Sequence, residues 1–312
     1  MLQPLIKGMF SYVPGSEYII RKRGTRGRNL AEYSYGVWLK HITILNHFYG
    51  KIIPRSLGEL GPGDSIAVGL AALLSGAEKY TAMDVVKYID IRSNLKIFNQ
   101  LIDLFRRRAS RPTKGWPDFD RYLNESLFPG HIFTEDLLHR TLSESWTADI
   151  RHAIMYYGDY DKNCPINYIA PFNDTSIIAE ESVDMILSHS VLEHVTDLNK
   201  CYQFMHYWLK KNGVITHQID YRSHGTSRLW NGYRAYPEYI WKIIVGKRPY
   251  LINRQPHSVH MRSMIQNGFD IKVDLRRIDR NGILRKQLSK AWETITNEDL
   301  NCSGAFIQAV KK

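Results

Sequence analysis

Cysteine is scarce: Cys164, Cys201 and Cys302 are the only three in 312 residues, and no two form a Cys-x-x-Cys pair. An odd count without metal-ligand spacing argues against a disulfide framework and against a structural zinc site, so all three are expected as buried small apolar residues. Long apolar runs are missing too. The longest, Ile66 to Ala77, spans about a dozen residues and is broken by Gly and Ser, which is too short to cross a bilayer. The start, Met1-Leu2-Gln3-Pro4-Leu5-Ile6-Lys7, leads into no apolar segment with a small-residue cleavage site. A secretory signal is therefore not supported, and a cytoplasmic location is expected. No internal repeat or low-complexity tract is visible.

Negative charge is in deficit: 42 Lys and Arg stand against 31 Asp and Glu, a formal net charge of +11. The densest basic run is Arg21-Lys22-Arg23-Gly24-Thr25-Arg26-Gly27-Arg28. Such a run suits polyanionic partners such as nucleic acid, anionic lipid headgroups or acidic glycans, but a solvated basic loop has the same composition. With 44% hydrophobic and 23% charged residues, the chain is of ordinary globular composition and can bury a large sheet.

Strand and helix signals alternate. Arg55 to Leu60 reads as a strand running into Gly61-Pro62-Gly63, and Ser65 to Ser75 as an Ala- and Leu-rich helix closed at Gly76. Lys79 to Val86 reads as a short strand carrying Asp84, and Ser182 to Ser188 as another, followed by helical spacing from Val191 to Leu209 and a stop at Asn212-Gly213. Gly213 to Ile219 starts a further strand, and Gly268 to Val273 with Gly304 to Val310 forms a final pair. Strands separated by helices predict an α/β fold: a mostly parallel, doubly wound sheet of seven strands, with a C-terminal antiparallel pair and helical insertions around a cleft. The expected organisation is an N-terminal helical and basic extension over 1–54, then a single domain over 55–312 with insertions at about 88–165 and 221–264 placed around the rim.

A Gly-x-Gly turn between strand and helix lets the backbone approach a ligand but does not by itself identify it. Here the neighbours decide. A dinucleotide fingerprint needs a small residue where Ile66 stands, and a diphosphate is repelled by carboxylates, yet Glu59 and Asp64 flank the turn. A ligand carrying an ammonium and a sulfonium, S-adenosylmethionine, is attracted instead. Asp84 lies where an acid would accept hydrogen bonds from two ribose hydroxyls.

On these residues the chain resembles the class I, seven-strand S-adenosylmethionine-dependent methyltransferases. The resemblance implies that Glu59, Gly61 and Gly63, with Asp64, cradle the methionine portion and that Asp84, with Val85 beside it, holds the ribose. The most specific match is Val183-Asp184-Met185-Ile186-Leu187-Ser188-His189-Ser190-Val191-Leu192-Glu193-His194-Val195, a form frequent among small-molecule methyltransferases, which brings Ser188 and His189 into the cofactor set. The chain further resembles an uncharacterised bacterial group of small-molecule or glycan methyltransferases, through His217-Gln218-Ile219-Asp220 and Leu251-Ile252-Asn253-Arg254-Gln255-Pro256-His257. Two departures stand out. Tyr168-Ile169-Ala170-Pro171-Phe172 puts Ile169 and Ala170, not an acid, beside the adenine position, and Ser188-His189-Ser190 replaces the Asn-Pro-Pro-Tyr type of sequence used on planar amino groups, which lowers base methylation.

Methyl transfer to a hydroxyl needs alignment and removal of a proton. The expected catalytic residues are His217, Asp220 and His224, lying beyond the fifth strand, with either His as base and Asp220 orienting it. The same three offer ligand types for a divalent metal, though their spacing is not diagnostic and no metal is expected. His189 and the Glu193-His194 pair are expected on the helix that follows the fourth strand. Trp230-Asn231-Gly232-Tyr233-Arg234-Ala235-Tyr236, Trp241 and Asn253 to His257 combine aromatic faces with amide and guanidinium donors, a surface suited to sugars or simply a packed aromatic lid. The expected acceptor is a hydroxyl on a sugar, glycan precursor or related small metabolite. An RNA methyltransferase and a non-catalytic adenosylmethionine-binding protein are the alternatives.

Overall fold

A computed structural model describes residues 2–15, 30–50, 53–87, 89–110, 116, 128–156, 164–248 and 250–312. The basic run Arg21 to Arg28 lies outside them. Ten helices occur among the described residues: α1 Leu2–Phe10, α2 Leu30–Tyr49, α3 Ala67–Leu73, α4 Ile91–Arg106, α5 Glu135–Thr141, α6 Glu144–Tyr156, α7 Leu198–Trp208, α8 Glu238–Val245, α9 His257–Gln266 and α10 Asn297–Asn301. They surround a seven-stranded sheet, β1 Ser56–Leu60, β2 Lys79–Met83, β3 Ile166–Ile169, β4 Val183–His189, β5 Leu209–Asp220, β6 Phe269–Ile278 and β7 Cys302–Lys311, in the order β3-β2-β1-β4-β5-β7-β6. The first five strands pair in parallel, while β7 runs antiparallel between β5 and β6. This is the mixed doubly wound sheet that the sequence predicts.

Position in the sheet follows from composition. β1 and β4 are buried on both faces and lie at its centre, as near-continuous apolar strands must. β6 exposes Lys272, Arg276 and Arg277 and forms the edge, where charge discourages pairing with another chain. Alternation along β4 divides the interior in two. Met185 and Leu187 join Trp38, Leu70, Phe98 and Ile150 in one core, whereas Ile186 joins Tyr202, Trp208, Met264 and Ile307 in the other.

The first of these cores corrects an expectation. Residues from 1–54 and 88–165 were predicted at the rim, but α2, α4 and α6 supply much of the packing under the β1–β4 face. Helix α2 is buried along most of its length, including Trp38, Leu39, Ile42 and Leu45. A sheet buried on both faces needs a full helical layer on each, and α3 alone is too short to provide one. Helix α1 sits instead on α8, where an added Cβ at Gly8 would lie 1.9 Å from the Ile243 carbonyl oxygen. No helix among the described residues is long and apolar enough to cross a membrane. Of the cysteines, Cys201 and Cys302 are buried and Cys164 is half-buried, all free.

Candidate functional site

Parallel pairing brings the carboxyl ends of the central strands together: Leu60 registers with Met83 and Ser188, Met83 with Ile169, and His189 with Gln218. In open α/β sheets that edge is where ligands bind. The glycine turn opens onto it. Gly61 (φ 64°) and Gly63 (φ 71°) both occupy the left-handed region, and an added Cβ on Gly61 would lie 2.7 Å from both γ-carbons of Val191. Gly61 thus serves the turn and also the close approach of the loop after β4.

Asp84 directly follows β2 and ties the turn down. Its Oδ2 accepts from the Gly63 amide at 3.1 Å and its Oδ1 from the Val85 amide at 2.7 Å, while its own amide donates to Ile169 O at 2.9 Å. Burial raises its pKa, and the Val85 and Gly63 amides oppose that. Val85 is 40% exposed, and Ile169 and Ala170 are half-buried at the same edge, an apolar slot next to the carboxylate. The two flanking acids are not equivalent. Asp64 is exposed, whereas Glu59 is buried, accepts from the Tyr80 hydroxyl at 2.5 Å, and is pushed up to about 7 by burial. Helix α3 is anchored from α4: Asn94 Oδ1 accepts from the Ser65 hydroxyl and the Ile66 amide, both at 3.1 Å.

Helix α2 crosses over the ends of β4 and β5, a contribution that sequence reasoning missed. His41 hydrogen-bonds Thr216 Oγ1 at 2.7 Å and lies 3.4 Å from Nδ1 of His189, whose ring also meets Tyr33 edge-on. Lys40 donates to Gln218 Oε1 at 3.2 Å and to Trp116 O at 2.6 Å, and burial brings its pKa down to about 8. Part of the His189 surface stays open, yet burial first and the Lys40 charge second take it down to about 3. The signal was present: a Lys-His pair interrupts the apolar run Gly36-Val37-Trp38-Leu39 and Ile42 of this helix.

The loops after β4 and β5 form the other half. Here two expectations are corrected. His189 is the last residue of β4, and Glu193 and His194 sit in a 3₁₀ turn, Leu192–His194, not on the following helix. That helix begins at Leu198, capped by Asp197, whose carboxylate accepts from the Lys200 amide at 2.9 Å. His217 is not beyond the fifth strand but inside it, fully buried, with Nδ1 bonded to Ser188 Oγ at 2.8 Å and its ring facing Tyr202 of α7. Burial pushes it down to about 3 and Nε2 has no partner among the described residues, so it is a core histidine and unsuited to take a proton from a bound acceptor.

The structure does bring Asp220 and His224 together. Asp220 ends β5 and His224 takes a left-handed backbone (φ 46°) that turns its Nε2 to 3.4 Å from Asp220 Oδ2 and 4.0 Å from Glu193 Oε1. Burial acts to raise the Asp220 pKa, but bonds from His224 and Arg222 outweigh it and hold the carboxylate ionised. Glu193 is 2% exposed and burial pushes it up to about 8; the Glu193 and Asp220 amides pull the other way, but neither carboxylate oxygen has a partner of hydrogen-bond geometry among the described residues. His194, brought down to about 4 by burial, stands with its ring 5.1 Å from that of His224. One ligand atom each from Glu193, His194 and His224 lies within 4.8 Å of the others, a donor set able to hold a divalent cation. This differs from the set considered on sequence, since of His217, Asp220 and His224 only His224 takes part.

Residues 133–216 match a family model described as a methyltransferase domain, a stretch that runs through α5, α6, β3, β4 and α7 into β5 and leaves out the glycine turn. No curated protein matches the sequence. Solved structures similar to this chain include an S-adenosylmethionine-dependent methyltransferase from Mesorhizobium loti, at 14% identity and TM-score 0.42, covering 92% of this chain and 100% of that one. Another is phosphoethanolamine N-methyltransferase 2 of Haemonchus contortus in complex with S-adenosyl-L-methionine, at 12% identity and TM-score 0.44, covering 96% and 60%. A third is the [4+2]-cyclase SpnF, at 11% identity and TM-score 0.42, covering 93% and 84%.

Proposed function

We propose that this class I S-adenosylmethionine-dependent methyltransferase transfers its methyl group to a hydroxyl of a sugar, a glycan precursor or a related small metabolite. One observation carries the reading: a partly open histidine, His224, is held 3.4 Å from an ionised Asp220 at the end of β5, on the same sheet edge as the glycine turn. An acceptor hydroxyl must lose a proton as it attacks the sulfonium methyl, and a histidine oriented by a carboxylate is a fitting base. In this reading Glu59, Gly61, Gly63, Asp64, Asp84 and Val85 hold the donor, Ile169 and Ala170 pack on its adenine, and Ser188 and His189 border the methyl. Ser188 acts there through its backbone, because its hydroxyl is committed to His217. The net charge of +11 favours RNA as a second acceptor class.

Purified protein incubated with methyl-labelled donor and, in parallel, soluble sugars with their phosphates, a small-metabolite extract and bulk RNA separates these readings. Label in a base-stable ether of a small hydroxyl compound is the expected result. Label recovered only in RNA, or as a base-labile ester, overturns it.

A further inference from the structure

Two arginines in the segment 221–264 carry positive charge into the interior, and among the described residues only one of them, Arg254, is paired with a carboxylate, that of Glu238. Arg234 is 0% exposed; its Nη1 donates to the Asp299 carbonyl at 2.9 Å, and the guanidinium also acts on the Tyr233 hydroxyl. Nε and Nη2, which share one edge of the guanidinium, are both buried and unpartnered. Among the described residues no carboxylate lies within ion-pair distance of Arg234, and the side chain of Asp299 is spent on the amide and hydroxyl of Ser258. Arg254 is also buried. Its Nη2 pairs with the half-exposed Glu238 at 2.7 Å, which leaves Nε and Nη1 unpartnered. Both guanidiniums lie near the ring of Trp292, at 5.2 and 5.5 Å from its centroid, so the two are neighbours through one ring. Trp292 Nε1 is a further buried donor without an acceptor.

Buried acids or histidines escape such a position by becoming neutral, as Glu193 and His194 do here. A guanidinium cannot, because it stays protonated under all folding conditions. Stacking on Trp292, Trp241 and Tyr233 offsets part of the desolvation but satisfies none of the in-plane N–H groups. Two positive charges set against one carboxylate thus leave several buried donors of the pair without an acceptor among the described residues. The free Nε–Nη2 edge of Arg234 is the fork that binds two oxygens of one oxyanion.

We propose that Arg234 and Arg254 form a binding site for an oxyanion, a phosphate or a carboxylate, carried by the acceptor. The position of the two arginines supports this, given the acceptor reading above. Arg254 follows Asn253, whose amide donates to Glu193 O at 2.6 Å and whose side chain donates to Leu192 O and Val195 O. Arg234 follows Tyr233, whose hydroxyl donates to the carbonyl of Tyr221, next to Asp220. Each arginine is thereby fixed to one of the two loops that carry Glu193, Asp220 and His224, so an anion bound there orients the rest of its molecule relative to them.

The test uses the full chain with S-adenosylhomocysteine present, melted against inorganic phosphate, acetate and, at matched ionic strength, chloride. Saturable stabilisation by phosphate or by acetate beyond chloride is expected, several degrees at about ten times the dissociation constant. A response to phosphate assigns a phosphorylated acceptor and a response to acetate a carboxylated one. Arg234→Lys, which keeps the charge and loses the fork, should abolish that response by at least about tenfold in affinity, while its S-adenosylhomocysteine binding, measured by calorimetry, shows that it has folded. Failure of both anions to exceed chloride, or an undiminished response in folded Arg234→Lys, overturns the proposal. Wild-type protein that binds the anion but not S-adenosylhomocysteine would overturn the methyltransferase reading and leave the oxyanion site standing.

Discussion

The two halves of the cleft are built on opposite terms. On the donor side the polar groups are matched within the fold: Asp84 binds the Gly63 and Val85 amides, Glu59 takes the Tyr80 hydroxyl, and Asn94 closes the start of α3. On the acceptor side they are not: Glu193, His194, Arg234 and Arg254 all hold buried polar atoms without a partner of hydrogen-bond geometry among the described residues. Since an unpaired buried polar group costs about 1–3 kcal/mol, a matched turn is an organised platform waiting for a ligand, whereas an unmatched pocket takes part of its organisation from one. The donor half should therefore fail through loss of binding and the acceptor half through loss of turnover.

The sharpest break in that contrast is His224→Ala. Without its base the reaction should slow by about 10² to 10⁴ in kcat, while S-adenosylhomocysteine, held across the sheet at the glycine turn, keeps its affinity within about twofold. Steady-state kinetics and calorimetry on one preparation decide it. Full turnover would remove His224 from the chemistry.

Next in size is the response of stability to pH, because the buried acids and the buried histidines, present in both halves, titrate with opposite sign. Burial raises Glu59 to about 7 and Glu193 to about 8 from the ordinary 4.5, so their protons are bound more tightly when folded. Their contribution is complete below 4.5 and is lost as pH rises through 7 and 8. Burial lowers His189, His217 and His260 to about 3 and His194 to about 4, so those contributions are complete above 6.5 and are lost as pH falls. Between pH 6.5 and 5 these four histidines and the fully buried His41, which burial also takes well below its ordinary pKa, oppose two acids, a net loss of about 3 kcal/mol for each unit of acidification. Stability should peak near pH 6.5 and fall more steeply on the acid side, measured as urea midpoints across pH. A profile flat from pH 5 to 8 would mean that these side chains are hydrated.

How much of this was legible depends on how far apart the partners lie along the chain. Glu59, Gly61, Gly63 and Asp84 are fixed by a strand, a tight turn and the next strand, all within a span whose local signals agree, and the C-terminal pair was marked by the glycines that open it. Helix α2 was not legible as core, because what makes Lys40 and His41 part of the cleft is contact with Gln218 and Thr216, whose sequence separations are 178 and 175. His217 was misplaced for a more local reason. Asn212-Gly213 has the look of a helix stop, yet Asn212 takes a left-handed turn (φ 63°) within a strand that already starts at Leu209. Nothing in alternating apolar residues says which face meets α2, so Thr216 and His217 were indistinguishable until the sheet was packed. The unpaired donors of Arg234 and Arg254 belong to the same class: composition shows a guanidinium, and only burial shows which of its donors lack an acceptor among the described residues.

A smaller effect tests the donor half. Asp84→Asn keeps one oxygen to accept an amide but removes the charge. Loss of a charged hydrogen bond to the ribose, about 1.5–3 kcal/mol, should weaken S-adenosylhomocysteine binding about tenfold or more. Turnover at saturating donor should change far less than in His224→Ala. Equal loss in both variants would erase the division between the halves.

The smallest effect on catalysis is expected at His217, and it separates a base from a histidine that only resembles one. The ring is fully buried between Ser188 and Tyr202, and at a pKa of about 3 it stays neutral through the working range, so it can neither collect nor relay a proton from the cleft. His217→Leu keeps most of the volume and leaves the Ser188 hydroxyl unpaired, a cost of about 1–3 kcal/mol in stability. Turnover should stay within about threefold of wild type, less than 1 kcal/mol of transition-state stabilisation. A loss on the scale of His224→Ala, in protein that still melts cooperatively and binds S-adenosylhomocysteine, would move the base into the sheet and make the His224–Asp220 pair a structural contact.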